Sequence, residues 1–83
     1  MGAEEAILLD KLGQQYTVLI EYDASSNPVY VGEAEPGTVE SAARWRIKKI
    51  AYDGSNNPTA VQWASGTQEF DKVWSQRSTY TYS

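Results

Sequence analysis

The chain is 83 residues long, carries a formal net charge of −4 and has a sequence pI of about 4.6, which argues against a general nucleic-acid binder with its basic face. It has no cysteine and no histidine, so it has no disulfide staple, and zinc, copper and haem lose their usual ligands. No run approaches the ~18 apolar residues of a membrane span.

A chain of this length is a single domain, residues 1–83. Such a domain buries only about 60% of the surface its unfolded chain exposes, so oligomerisation or docking on a larger body is the expected supplement. Residues 1–15 read as a docking segment with two possible forms. In "EEAILLDKLGQQ" the acids come first, Leu8 and Leu12 fall in register and Gly13 suits a C-cap, which gives a helix. The same letters give a strand "AILL", a type I turn "DKLG" and a strand "QYTVLI". Either form is suited to docking, by helix-in-groove packing or by strand addition. The acidic flanks do not suit a signal peptide, and "MGAEEA" lacks the Ser or Thr at position 6 of a myristoylation signal, so a soluble protein without secretory targeting is expected.

Residues 16–34 predict a first β-hairpin. In "YTVLIEY", Tyr16, Val18, Ile20 and Tyr22 share one face, and Thr17, Leu19 and Glu21 the other. Apolar residues on both faces predict a central strand. "DASSN" is turn chemistry, since Asx and Ser side chains bond nearby backbone groups. Pro28 then opens the return strand, a position where a sheet tolerates proline. "EAEPGTVESAA" follows, with Pro36-Gly37 as a turn pair.

Residues 44–64 predict a second hairpin. "RWRIKKIAY" places Trp45 and Ile47 on one face but Ile50 and Tyr52 on the other, which predicts a β-bulge at Lys48-Lys49. "DGSNN" is the turn, and Pro58 opens the return strand. Residues 68–82 predict a short helix and a last edge strand: Phe70, Val73 and Trp74 have helical spacing, and "STYTYS" alternates.

The two hairpins are copies. Under a shift of thirty, Ile20/Ile50, Tyr22/Tyr52, Asp23/Asp53, Ser25/Ser55, Asn27/Asn57, Pro28/Pro58, Val31/Val61 and Ala34/Ala64 are identical, eight of the fifteen positions 20–34. Chance gives roughly one, at residue frequencies of about 5–7%. The predicted fold class is all-β and mainly antiparallel: two sequence-related hairpins forming a small sheet or sandwich, with a short C-terminal helix and a terminal edge strand.

Several constellations bear on chemistry. Asp23, Ser25 and Asn27, and again Asp53, Ser55 and Asn57, present oxygens at the spacing that opens a calcium loop. The loop's sixth and twelfth positions hold Pro28 and Ala34, or Pro58 and Ala64, so turn stabilisation is the better reading. No metal or other cofactor is expected. Glu33, Glu35, Glu40, Glu69 and Asp71 stand in no recognisable acid–base context, and no phosphate-binding glycine loop appears, so an enzyme is not expected. Arg44, Arg46, Lys48 and Lys49 hold four of the seven basic residues. They form a candidate partner surface with Tyr30, Tyr80 and Tyr82, or a solvated strand face paired with glutamates on a neighbour. Trp45, Trp63 and Trp74, with Tyr30, Tyr80 and Tyr82, read as core or subunit interface, with glycan stacking as the alternative.

The strings "IEYDASSNPVYVGEAEPGT" and "AARWRIKKIAYDGSNNPTAVQWASGTQEFDKVWSQRSTYTY" resemble a family of short proteins encoded by tailed bacteriophages and described as virion structural proteins. The resemblance runs from Tyr16 to Tyr82, roughly four fifths of the chain. It implies a virion component that binds itself or other virion proteins, foremost in the tail, baseplate or fibre region and otherwise as a capsid decoration. It brings no catalytic or cofactor residues. The competing expectations are a glycan-binding module at a fibre tip and a small regulatory binding protein. No nucleic acid and no membrane are expected as partners.

Overall fold

The structure is a computed structural model and describes residues 15–83; the helix-or-strand alternatives for the N-terminal segment lie outside the described residues. The fold is a mostly antiparallel sheet with one short 3-10 helix near the C-terminus. Strands β1 (Thr17–Tyr22), β2 (Pro28–Ala34), β3 (Ala43–Tyr52) and β4 (Pro58–Trp63) lie side by side in chain order, and β5 (Lys72–Val73) pairs with the start of β3. Of the two predicted arrangements, sheet or sandwich, the sheet is the one formed.

The sequence duplication is also a duplication of geometry. Ile20↔Val31, Glu21↔Tyr30 and Tyr22↔Pro28 in the first hairpin become Ile50↔Val61, Ala51↔Ala60 and Tyr52↔Pro58 in the second, the same register moved by thirty. The turns share the same Asx bonds to the backbone. Asp23 Oδ1 accepts the backbone N–H of Ser25 at 2.8 Å and of Asn27 at 2.9 Å, and Asp53 Oδ1 accepts those of Ser55 at 2.8 Å and Asn57 at 3.0 Å. Ser26 and Asn56 both sit at φ 65°, a left-handed conformation that side chains disfavour and that the Asx bonds on either side hold in place. The hairpins also hold each other. Asn27 Nδ2 donates to Asn56 Oδ1 at 3.1 Å, and the Tyr52 hydroxyl donates to the Pro28 carbonyl at 2.7 Å. Between the hairpins, Pro36-Gly37 makes the expected turn: Thr38 N–H donates to the Glu35 carbonyl at 3.1 Å, and Gly37 supplies φ 90°.

One strand expectation needs correction. The predicted bulge at Lys48-Lys49 is absent, since both residues are paired on both sides, Lys48 with Val31 and Trp63 and Lys49 with Tyr30 and Gln62. The register shifts lie instead beside the turns, at Glu21/Tyr22 and Ala51/Tyr52. The apolar pattern of β3 changes face midway because its two halves serve opposite faces of the sheet. A bulge is required only if one face is buried throughout. Among the described residues β1 pairs with β2, and β2 and β3 are the central pair.

The C-terminal helix begins later than its apolar spacing predicts and spans Trp74–Thr79. β3 captures the two residues before it, through Ala43↔Val73 and Trp45↔Lys72, so Val73 is a strand residue. The terminal strand is brief: Ala64 and Tyr82 form a bridge, and Trp63 and Ser83 exchange backbone bonds at 3.0 and 3.2 Å along the edge of β4.

One face of the sheet is the core. Ala34, Trp45, Ile47, Ala64 and Trp74 are buried there, with Leu19, Tyr30, Tyr80 and Tyr82 packed around them. Trp45 and Trp74 meet at a ring distance of 6.1 Å, and the Trp45 indole N–H donates to the Val39 carbonyl at 3.0 Å. Each indole buries roughly 200 Å², on the order of 5 kcal/mol as an upper bound, so these two rings dominate a core this small. Gly32 is the seat of the second ring: a Cβ at Gly32 would lie 2.4 Å from Trp74 Cε3.

Candidate functional site

Among the described residues, the other face of the sheet remains open. Alternation places Val18, Ile20 and Tyr22 of β1, Val31 and Glu33 of β2, Arg46, Lys48, Ile50 and Tyr52 of β3, and Val61 and Trp63 of β4 on it. Val18 is 46% exposed, Ile20 43%, Tyr22 56% and Val61 56%. Two apolar pairs lie in direct cross-strand register, Ile20 against Val31 and Ile50 against Val61, with Lys48 opposite Val31 between them.

The predicted basic and aromatic surface does not form one site. Arg46 and Lys48 lie on the open face. Arg46 Nε donates to Glu33 Oε1 at 2.7 Å, and its guanidinium lies 4.8 Å from the Phe70 ring centre, 5.1 Å from Tyr16 and 5.7 Å from Trp63. The Lys48 ammonium sits 5.6 Å from the Trp63 ring. The pairing with a neighbouring glutamate, one of the two readings for this stripe, is therefore made by Arg46. Arg44 is exposed at the sheet end, beside a groove of about 520 Å³ that Tyr16, Glu35, Thr38, Ala43 and Phe70 also line. Lys49 faces the core side, 5.7 Å from the Tyr30 ring and 5.9 Å from Tyr82.

Tyr30, Tyr80 and Tyr82 are structural on that core side. The Tyr80 hydroxyl accepts the Val73 N–H at 2.8 Å, and the Tyr82 hydroxyl donates to the Arg77 carbonyl at 2.7 Å. Burial, with the neighbouring Tyr30 and Tyr80 phenols, pushes the Tyr82 phenol well above the ordinary tyrosine range. Of the three tryptophans proposed for core or glycan contact, Trp45 and Trp74 are buried; Trp63 is half-buried under Arg46 and Lys48.

The residues that sequence reasoning missed as a surface are Val18, Ile20, Tyr22, Val61 and Phe70. For Val18, Ile20 and Tyr22 the signal is in "YTVLIEY", whose two apolar faces fit a strand buried on both sides and fit equally a strand with one face in the core and one face open. Phe70 sits opposite its expected side, 5.4 Å from the Tyr16 ring.

Comparison with known proteins finds no matching family model, no matching curated protein and no matching solved structure. Chemically, the open face offers apolar contact framed by cations already seated on aromatic rings. Such a surface is suited to burial against another macromolecule.

Proposed function

We propose that the chain is a non-enzymatic virion structural protein of a tailed bacteriophage, assembling through its β surfaces in the tail, baseplate or fibre region. One observation carries the assembly part: Val18, Ile20, Tyr22 and Val61 stand exposed on one face of the sheet, beside Val31 and Ile50. A small domain whose core fills only one side of its sheet gains stability when that other side is covered, and binding partners add to folding free energy by mass action. The particle assignment rests on the family resemblance of residues 16–82, and its partners are then other virion proteins and further copies of the chain. Mass spectrometry of purified particles is the test. The chain is expected as a stoichiometric component that survives gradient purification, and its absence from intact particles sinks the assignment.

A further inference from the structure

The internal repeat pairs its own two copies along one seam. Inside the chain, the return strand of the first hairpin pairs with the outgoing strand of the second, through Tyr30↔Lys49, Val31↔Lys48, Gly32↔Ile47 and Glu33↔Arg46. β4 is the thirty-residue equivalent of β2, and β1 is the equivalent of β3. The outer edge of β4 is therefore built like the edge of β2 that receives β3, and the outer edge of β1 like the edge of β3 that β2 accepts. Among the described residues, no strand pairs with the outer edge of β1, and the outer edge of β4 is used only from Trp63 onward, by the C-terminal residues.

We infer that copies of this chain join head to tail, β4 of one pairing with β1 of the next in the register of the internal β2–β3 seam. Moving that register by thirty residues places Val61 opposite Val18 of the next copy, Ala60 opposite its Leu19 and Gln62 opposite its Thr17. Three observations support this partner over an unrelated one. Val61 and Val18, 56% and 46% exposed, become a cross-strand β-branched pair on the open face. The hydrogen bond from the Tyr52 hydroxyl to the Pro28 carbonyl has its equivalent in Tyr22 of the next copy and Pro58. Both Tyr22 and Pro58 are identical repeats of the bonded pair, and Tyr22 is 56% exposed. The C-terminal residues, lying along β4 from Trp63, leave Pro58–Gln62 for the contact and stop the pairing there.

The contact is heterologous, one surface meeting a different surface, so it propagates into an open filament or closes into a ring. A strand-edge contact of this length falls below the ~1,200 Å² of a standard interface, so a single pair associates weakly and gains from several copies or a shared platform. The inference deepens the assembly reading and rests on it.

Disulfide trapping in the full chain tests it, because the protein has no native cysteine. Residues paired across antiparallel strands have Cα atoms about 4.5–5.5 Å apart, within disulfide range. The Val18→Cys, Val61→Cys double variant is expected to give a ladder of dimers, trimers and larger species under mild oxidation. Each single variant alone is expected to stay monomeric, and a mixture of the two single variants to stop at the dimer. An Ile20→Cys, Val61→Cys variant, two residues out of register, should trap poorly. Dimers from either single variant would mean that like surfaces meet, overturning the inference. So would a silent double variant at concentrations up to about 1 mM, the weak end of the affinity scale.

A second readout needs no cysteine. Tyr22→Phe is expected to weaken self-association about fivefold, the worth of one hydrogen bond, while leaving the melting temperature of the dilute monomer unchanged. Equal association of wild type and variant would remove the Tyr22–Pro58 contact from the register and overturn it. Particles that contain the chain beside a silent double variant would overturn this inference alone. A ladder from a chain absent from particles would support it and overturn the virion assignment.

Discussion

Replacing Gly32 by alanine sets two effects against each other, and the structure decides between them. Gly32 lies inside β2 and has no left-handed φ, so an alanine fits its backbone. Backbone entropy alone predicts a gain of about 0.5–1 kcal/mol. The side chain, however, enters occupied space: its Cβ would lie 2.4 and 2.7 Å from Cε3 and Cζ3 of Trp74 and 3.3 Å from Cε3 of Trp45. To restore a carbon contact of ~3.5 Å the Trp74 ring must retreat by about 1 Å. It has little room, being only 4% exposed, with Trp45 beside it and the Arg77 guanidinium 4.5 Å from its centre. Overpacking of this kind costs about 1–3 kcal/mol, so the net expectation is a loss of about 1–2 kcal/mol. For a domain of this size that lowers the melting temperature by about 5–15 °C. Thermal melts followed by circular dichroism and calorimetry measure it. A melting temperature equal to or above wild type would refute the seat assigned to Trp74. A Trp74→Leu background supplies the internal control: there Gly32→Ala should become neutral or stabilising, because the obstructing ring is gone.

The remaining predictions are simpler. The backbone N–H groups of Asn57 and Ser55 hold the Asp53 carboxyl below its ordinary value of 3.8, so its contribution to stability is present above that value and fades as the pH falls through the lowered one. Melts of wild type and Asp53→Ala should therefore differ at pH 6 and converge in strong acid; a gap that stays constant into strong acid removes the Asp53 cap as its cause. The raised Tyr82 phenol predicts the converse at high pH: its stability is intact below about 10, the ordinary tyrosine value, and is lost as the pH climbs beyond it. An ultraviolet titration should show one tyrosine that ionises only on unfolding, and Tyr82→Phe should abolish that lag. Finally, Arg46→Ala removes both the Glu33 pair and the cover over Tyr16, Trp63 and Phe70, a loss of about 1–2 kcal/mol. Arg46→Met keeps much of the packing and should cost less in urea unfolding; equal losses would assign the effect to charge alone.

The hairpins were legible because their determinants are local. Asp23 and Asp53 write the turns, Pro28 and Pro58 open the return strands, and the thirty-residue echo shows that the same unit occurs twice. What escaped depends on the order of strands across the sheet. Val18 and Ile20 carry no letter that says whether a second layer covers them. The face change in β3 looked like a slip until both halves had neighbours, Gly32 beneath Trp74 on one side and Val61 beside Ile50 on the other. Phe70 has the spacing to share a helix with Trp74, but pairing of Lys72 and Val73 with β3 outweighed that spacing and sent its ring to the opposite face. Of the surface proposed from sequence, Arg46 and Lys48 stand on the open face, while Lys49 and Tyr82 were needed behind it.

Near-identical hairpins create an ambiguity while the chain is being made. Early in synthesis, two units with the same turns and the same registers compete for the same neighbours, and neither turn records which is first. The return strands differ where the first has Gly32 and the second Gln62. Gly32 leaves space for a ring, and the ring belongs to Trp74, which follows both hairpins in the chain. A sheet with its hairpins exchanged would place Gln62 where Gly32 now admits Trp74, so the ring would lose its seat. Burial of the indole is thus the contact that tells one hairpin order from the other.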